Sequence, residues 1–139
     1  MLSSPRLHET LYFRNPAGTI LYHSAGYVRL SWNASSPQSA EVMGLYEHAL
    51  TLLQRTAATK ILSHHGQRQS LSPELQQALT QDWIPRAVRQ AGLSYCAIVE
   101  GENPVQRLSV QAIVAQSATA PVFKRFRTLE EADLWLKTL

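Results

Sequence analysis

The segment Tyr95-Cys96-Ala97-Ile98-Val99 is an uninterrupted apolar run, which is typical of a strand buried on both faces of a sheet. Segments with helical periodicity lie on both sides of it in the sequence. A strand between two helices must pair with its neighbouring strands in parallel, through right-handed crossovers. This run therefore predicts an α/β sheet with helices packed on it.

The preceding helix is predicted to begin at Ser72-Pro73, an N-cap followed by proline at the first helical position. Pro85 lacks an amide hydrogen, so we expect the helix to kink or restart there. Its apolar stripe is formed by Leu75, Leu79 and Trp83. The following helix is predicted to end near Gln116, and its expected buried stripe is Val105, Leu108, Ala112 and Ile113.

Further strands and helices extend this pattern in both directions. Lys60–His64 and Pro121–Phe126 are predicted strands. A long helix is predicted to begin at Ser36-Pro37 and to run to about Thr56. The sequence Thr128-Leu-Glu-Glu131 is a capping box and predicts a final helix.

The N-terminal part of the chain has the pattern of an antiparallel meander. Short β-prone runs at Leu11–Phe13, Thr19–His23 and Tyr27–Trp32 are separated by turn signals that contain Gly18 and Gly26. We therefore predict an α/β fold with an α+β tendency, in which this meander continues into βα units. One mixed sheet with about four to five helices packed on it would form a single domain over residues 1–139.

Composition narrows the classes of protein. The chain has 139 residues and a formal charge of +3, and its one cysteine, Cys96, is predicted to be a buried, inert thiol because it lies in an apolar strand. The sequence has no apolar run long enough to span a membrane and no apolar segment at its N-terminus, so we expect a cytoplasmic protein. The densest basic cluster, Lys124-Arg125-Phe126-Arg127, is too small to favour nucleic acid as a partner.

The order and spacing of several short motifs are similar to a known family. They are Trp83-Ile-Pro85, Leu108-Ser-Val110 and Glu131-Ala-Asp-Leu-Trp135-Leu, within roughly residues 60–139. In these motifs the chain resembles the small bacterial STAS-like (SpoIIAA-like) domain proteins. The resemblance implies a four-to-six-stranded mixed sheet with helices and no enzymatic activity. We also expect no cofactor. STAS domains bind protein partners, and some are switched by phosphorylation of a serine at a helix N-terminus.

Two classes of function follow. The first is a non-catalytic binding or regulatory module with a protein partner, and the second is a carrier of a small apolar or lipid-like ligand between sheet and helices. An enzyme is disfavoured, because the sequence has only two aspartates, no glycine-rich phosphate loop and no metal-ligand spacing.

The predicted site lies at the carboxyl ends of the parallel strands, where loops and helix N-termini meet. Its candidate binding residues there are His64, His65, Arg68 and Ser72. Ser72 is either a phosphoacceptor or a plain N-cap, and we favour the cap because the acidic neighbour of STAS switch serines is replaced by Leu71. A metal at His64 and His65 is disfavoured, because adjacent strand residues point to opposite faces.

Trp83 and Arg86 complete the set of candidate binding residues. They flank Pro85 and could line a groove, although a core tryptophan with a surface arginine over it is the favoured interpretation. The aromatic residues Tyr12, Tyr22 and Trp32 suit either a homodimer interface or the core.

Overall fold

The sheet holds its strands in the order in which they occur in the sequence. The computed structural model describes residues 8–117 and 120–139. The six strands are Glu9–Asn15 (β1), Gly18–His23 (β2), Tyr27–Trp32 (β3), Lys60–His64 (β4), Tyr95–Val99 (β5) and Val122–Phe126 (β6). Their order is β1-β2-β3-β4-β5-β6, antiparallel from β1 to β3 and parallel from β3 to β6. This mixed sheet confirms the predicted α/β fold and its N-terminal meander.

Helices cover both faces of the sheet unequally. They are Ser39–Thr56 (α1), Pro73–Ala78 (α2), Ile84–Ala91 (α3), Pro104–Gln116 (α4) and Leu129–Lys137 (α5). The crossovers β3-α1-β4, β4-α2-α3-β5 and β5-α4-β6 all step in one direction, so α1 to α4 lie on one face of the sheet. Helix α5 packs on the other face. None of the helices in the described ranges is both long and apolar enough to cross a membrane.

The larger core lies between the sheet and α1 to α4. The strands contribute every second residue, as the pleat requires, so Val28, Leu30, Ile61 and Ile98 face these helices. Helix α1 contributes an apolar stripe that includes Val42, Leu45, Ala49, Leu52 and Leu53. This periodicity is the reason why the long helix was predictable from its sequence.

A π-helical turn at Leu79–Trp83 joins α2 to α3 and precedes Pro85. Within it, Ile84 N–H donates to the Leu79 carbonyl, five residues back. A proline in a regular helix clashes with the carbonyl four residues before it, and the wider turn avoids that clash. The proline thus interrupts the α-helix as expected, and both Leu79 and Trp83 remain buried.

Two local predictions were wrong. Helix α1 begins later than Ser36-Pro37: Gln38 is its N-cap, and the Glu41 side chain accepts a 2.8 Å hydrogen bond from the Gln38 amide. Helix α4 exposes Val105 and Leu108, which are 62% and 63% accessible, instead of burying them. Its buried residues are Gln106, Ser109, Val110 and Ile113, a stripe rotated by about one residue.

Helix α5 closes a smaller core on the opposite face. Its Ala132 and Leu136 pack with Tyr27, Leu62 and residues of β5. Lys60, on β4, donates 2.8 Å hydrogen bonds from Nζ to the main-chain oxygens of Leu136 and Leu139. A cation at the C-terminal end of a helix compensates its unpaired carbonyls and its dipole. This lysine therefore fastens the last turn of α5 to the sheet.

Candidate functional site

Buried polar side chains are concentrated at the carboxyl end of β4, beneath the crossover helices. We call Ser63, His65, Arg68 and Gln106 the polar cluster; all four residues are buried. Ser63 is the second-last residue of β4, and His65 and Arg68 lie in the loop that follows this strand. Gln106 is in the first turn of α4. Buried polar groups are uncommon and need partners, so such a group marks a site that packing alone does not explain.

Three members of the polar cluster are connected by hydrogen bonds that begin at the sheet. Trp32 Nε1 donates to Ser63 Oγ at 3.0 Å, and His65 Nε2 lies 3.0 Å from the same oxygen. Gln106 Nε2 lies 3.4 Å from His65 Nδ1. The connection therefore runs from β3 through β4 to α4 and ties together three elements that are distant in sequence.

His65 is neutral in this environment. Burial lowers its pKa well below the ordinary histidine value, and the positive charge of Arg68 lowers it further. A neutral ring has one N–H and one acceptor nitrogen. Gln106 Oε1 has no hydrogen-bond partner among the described residues. Rotating this amide by 180° would let Oε1 accept from His65 Nδ1–H, after which Ser63 could donate to Nε2.

Arg68 is a buried cation without an acidic partner in the part of the chain that the structure describes. It is 5% accessible, and no carboxylate there forms an ion pair with it. Its guanidinium carbon lies 3.5 Å from the centroid of the Trp32 ring, and NH2 donates to Tyr46 Oη at 3.2 Å. A cation–π contact contributes about 2 kcal/mol when desolvated, whereas burial of a charge costs several kcal/mol. The aromatic contacts therefore compensate the charge only in part.

A small cavity adjoins this arginine. Its volume is about 60 Å³, and it lies between the sheet and the helices. Its polar lining comes from Ser63, His65, Arg68 and the Tyr46 residue. The remaining walls are mostly apolar and include Leu30, Ile61, Leu79, Ile84, Ile98, Val110, Ile113 and Phe123. The cavity thus combines one charged end with apolar walls.

Arg68 also lines a groove on the surface. This groove has a volume of about 270 Å³ and is bordered by polar residues that include Asn33, Ser35, Gln69 and Ser70. Arg68 is therefore part of the wall of both spaces, the surface groove and the inner cavity. Leu71 lines both spaces as well, so Arg68 and Leu71 lie between the groove and the cavity.

The loops above the cavity are in close contact at Gly101. Glu102 N donates to the Gly66 carbonyl at 3.0 Å, and a Cβ at Gly101 would lie 2.7 Å from the same oxygen. Only glycine allows so close an approach of two backbones. This contact brings the loop after β5 onto the loop after β4, as the predicted site requires.

A second cleft, of about 280 Å³, lies on the opposite face beside α5. Two ion pairs lie in it: Arg29 NH1 is 3.0 Å from Glu9 Oε2, and Lys137 Nζ is 2.8 Å from Asp133, which also accepts from Tyr27 Oη at 2.6 Å. Arg29 Nε is buried without a partner among the described residues. Arg29 Nε is therefore the donor that this cleft offers a ligand, whereas Arg68 offers a cation without an ion-pair partner among the described residues.

Only some of the predicted site residues come together. His65, Arg68 and Trp83 all line the cavity. His64 does not, because it points to the face opposite His65, where burial and the charge of Arg29 lower its pKa. Ser72 is the N-cap of α2 and accepts a 3.2 Å hydrogen bond from Leu75 N.

Arg86 lies outside the cavity. Its guanidinium is held by the carboxylates of Glu47 and Asp82, so α1 and the π-helical turn are bridged by ion pairs. Its neighbour Trp83 is 3% accessible and donates from Nε1 to the Tyr46 carbonyl at 2.8 Å. The core interpretation of Trp83 is confirmed.

Sequence reasoning missed Ser63, Tyr46 and Gln106. Ser63 is a polar residue at an inward position of an apolar strand, which is the signal that could have identified it. Gln106 occupies the buried stripe of α4 at the spacing of Val110 and Ile113, and a search for apolar residues alone passes over it. Trp32, which suited either core or interface, is in the core at 7% accessibility.

Cys96 also borders the cavity, where burial raises its pKa to about 12. The thiol is therefore protonated at neutral pH and is a poor nucleophile, as predicted. Within residues 8–117 and 120–139, no group of three His, Cys, Asp or Glu side chains is arranged to hold a metal ion. Comparisons of the chain with protein-family models, with curated proteins and with solved structures found no match.

Proposed function

We propose that this chain is a non-catalytic binding module of the STAS-like type and that its ligand occupies the cavity between the sheet and α2 to α4. The observation that carries this proposal is the position of Arg68. A buried cation with no acidic partner among the described residues, at the end of an apolar cavity, is costly for the free protein. A ligand that completes its contacts would compensate that cost.

The surroundings of the cavity support binding rather than catalysis. Burial holds the pKa of His65 well below its ordinary value, and the Cys96 thiol stays protonated. His65 is therefore a weak general base, and Cys96 is a poor nucleophile. The apolar walls and a few convergent polar groups are the usual composition of a small-molecule site.

The test is a matched pair of substitutions on α4. Val110 lines the cavity, whereas Val105 lies on the exposed face of the same helix. We expect Val110→Phe to fill the cavity and to abolish small-molecule binding, and Val105→Phe to leave binding unchanged. The measurement is a fragment screen by protein NMR, which follows the methyl signals of Ile61 and Ile98. Equal binding to both variants, or no fragment that moves these signals in the wild type, would contradict the proposal.

A protein partner is the second candidate, and the exposed face of α4 favours it. Val105 and Leu108 lie one turn apart and are both more than 60% accessible. A pull-down with wild-type protein beside Leu108→Asp is the measurement, and Leu134→Asp, at another exposed apolar position, is the control. A specific partner should be lost only from Leu108→Asp, and retention by both variants would count against this surface.

A further inference from the structure

We infer that the ligand of the cavity is a small monocarboxylate with an aliphatic tail. This inference rests on the proposed function and specifies the chemical class of ligand. Arg68 supplies one positive charge in a planar group with five donors, a geometry that matches a carboxylate. The residues that pair other arginines of the chain, such as Glu47 beside Arg86, have no counterpart around Arg68 among the described residues.

The apolar walls of the cavity determine the chemistry of the ligand's tail. Beyond Arg68 the cavity is lined mainly by aliphatic side chains from β3, β4, β5 and α4, together with Phe123. A ligand with polar groups along its whole length would leave them without partners against these walls. The polar end of the ligand must therefore face Arg68, and its aliphatic end must point toward Ile113 and Phe123.

Volume limits the size of the ligand. One water-sized group needs on the order of 10–15 Å³ of such space, so a cavity of about 60 Å³ holds about four to six heavy atoms. Propanoate, butyrate and isobutyrate are within this range. Long-chain fatty acids are not, which narrows the carrier hypothesis to short acids.

Charge argues against phosphate as the ligand. A phosphate carries up to two negative charges and needs several donors or cations. Arg68 is the only cationic side chain that lines the cavity in the described part of the chain, since His65 is neutral. Tyr46, whose hydroxyl oxygen accepts from Arg68, keeps its own hydrogen and could donate it to the second oxygen of a carboxylate.

The test compares isosteric ligands at pH 7.5 by protein NMR titration: butyrate and isobutyrate against butyramide and isobutyramide, with inorganic phosphate and butylamine alongside. We expect each acid to bind the wild-type protein at least about tenfold more tightly than its amide, because charge-assisted bonds are stronger than neutral ones. In Arg68→Met this preference should fall below about threefold, whereas the exposed-site control Arg89→Met should keep it.

The outcomes separate the two proposals. If the amides bind as tightly as the acids, the carboxylate inference is wrong but the cavity remains a ligand site. If phosphate binds more tightly than both acids, the monocarboxylate assignment is also wrong. If none of these compounds binds, the inference is wrong, and the fragment screen with the wild-type protein decides whether the proposed function fails with it. The comparison of acids with amides on the wild-type protein tests the carboxylate inference even if Arg68→Met does not fold.

Discussion

Arg68 carries a full charge at a position where most folds place a neutral side chain. Trp32 and Tyr46 surround its guanidinium with aromatic surface, and the cavity meets it on the inner side. Among the described side chains, the Tyr46 hydroxyl accepts a hydrogen bond from this cation, and no carboxylate pairs with it. The neighbouring His65 responds to the same charge, because a second cation beside Arg68 is unfavourable.

His65 should make the stability of the protein depend on pH. Its folded-state pKa lies below the ordinary value of 6.5, so the unfolded chain binds more protons than the native state at lower pH. Stability is therefore fully present above about pH 6.5 and should decrease as pH falls below it, by up to about 1.4 kcal/mol per pH unit from this residue.

We expect His65→Gln to reduce that slope, leaving the smaller contributions of His23 and His64, whose pKa values are also lowered by burial. Urea unfolding at pH 7, 6 and 5 measures how the free energy of unfolding changes with pH. The control is His48→Gln, which removes an imidazole at an exposed position. An unchanged slope in His65→Gln would show that the native state binds this proton as readily as the unfolded chain.

At the scale of elements, α4 presents two unlike faces. Its inward face contains Gln106, Ser109, Val110 and Ile113, and its outward face contains Val105 and Leu108. We expect Leu108→Ala to change the free energy of unfolding by less than about 0.5 kcal/mol, and Ile113→Ala to lower it by about 2–4 kcal/mol. Urea unfolding of both variants tests this, and similar losses would mean that Leu108 is buried.

The elements themselves were largely predictable, because their signals are local. The apolar run of β5, the Ser72 cap and the helical periodicity of α1 each depend on neighbours in the sequence. The start of α1 was missed because Ser36-Pro37 is a stronger local signal than the pair Gln38 and Glu41, which formed the cap.

The site was only partly predictable, because its contacts connect distant residues. His65 and Arg68 followed from the rule that loops at the carboxyl ends of strands form sites. The hydrogen-bond partners in the site could not be predicted, because they are more than twenty residues apart in the sequence. Trp32 donates to Ser63, and Arg68 donates to Tyr46. The face of α4 was misassigned because Gln106 is buried through its contact with His65, which periodicity of apolar residues cannot reveal.

At the scale of the whole molecule, the two cores differ in size. In the part of the chain that the structure describes, helix α5 alone covers its face of the sheet. Nine residues are too few for a helix that is stable in isolation. We expect the amides of α5 to exchange with solvent before those of β4 and β5, through local opening. Leu136→Ala should increase exchange across α5 by the equivalent of about 2–4 kcal/mol.

Hydrogen exchange followed by NMR measures this difference, with Leu134→Ala as the exposed control on the same helix. If the amides of α5 exchanged only at the rate of β4 and β5, the helix would open only with the rest of the molecule. The lysine contact from Lys60 to the last turn would then be more important than the small core beneath it.

The agreement between strand order and chain order also bears on how the protein is made. Each strand from β2 onward pairs with the strand that precedes it in the chain, so a nascent chain can add every new strand to an edge that already exists. No strand has to wait for a distant partner or insert between two others, which keeps loop-closure costs low. The sheet is therefore suited to assembly during translation, one βα unit at a time, as the chain leaves the ribosome.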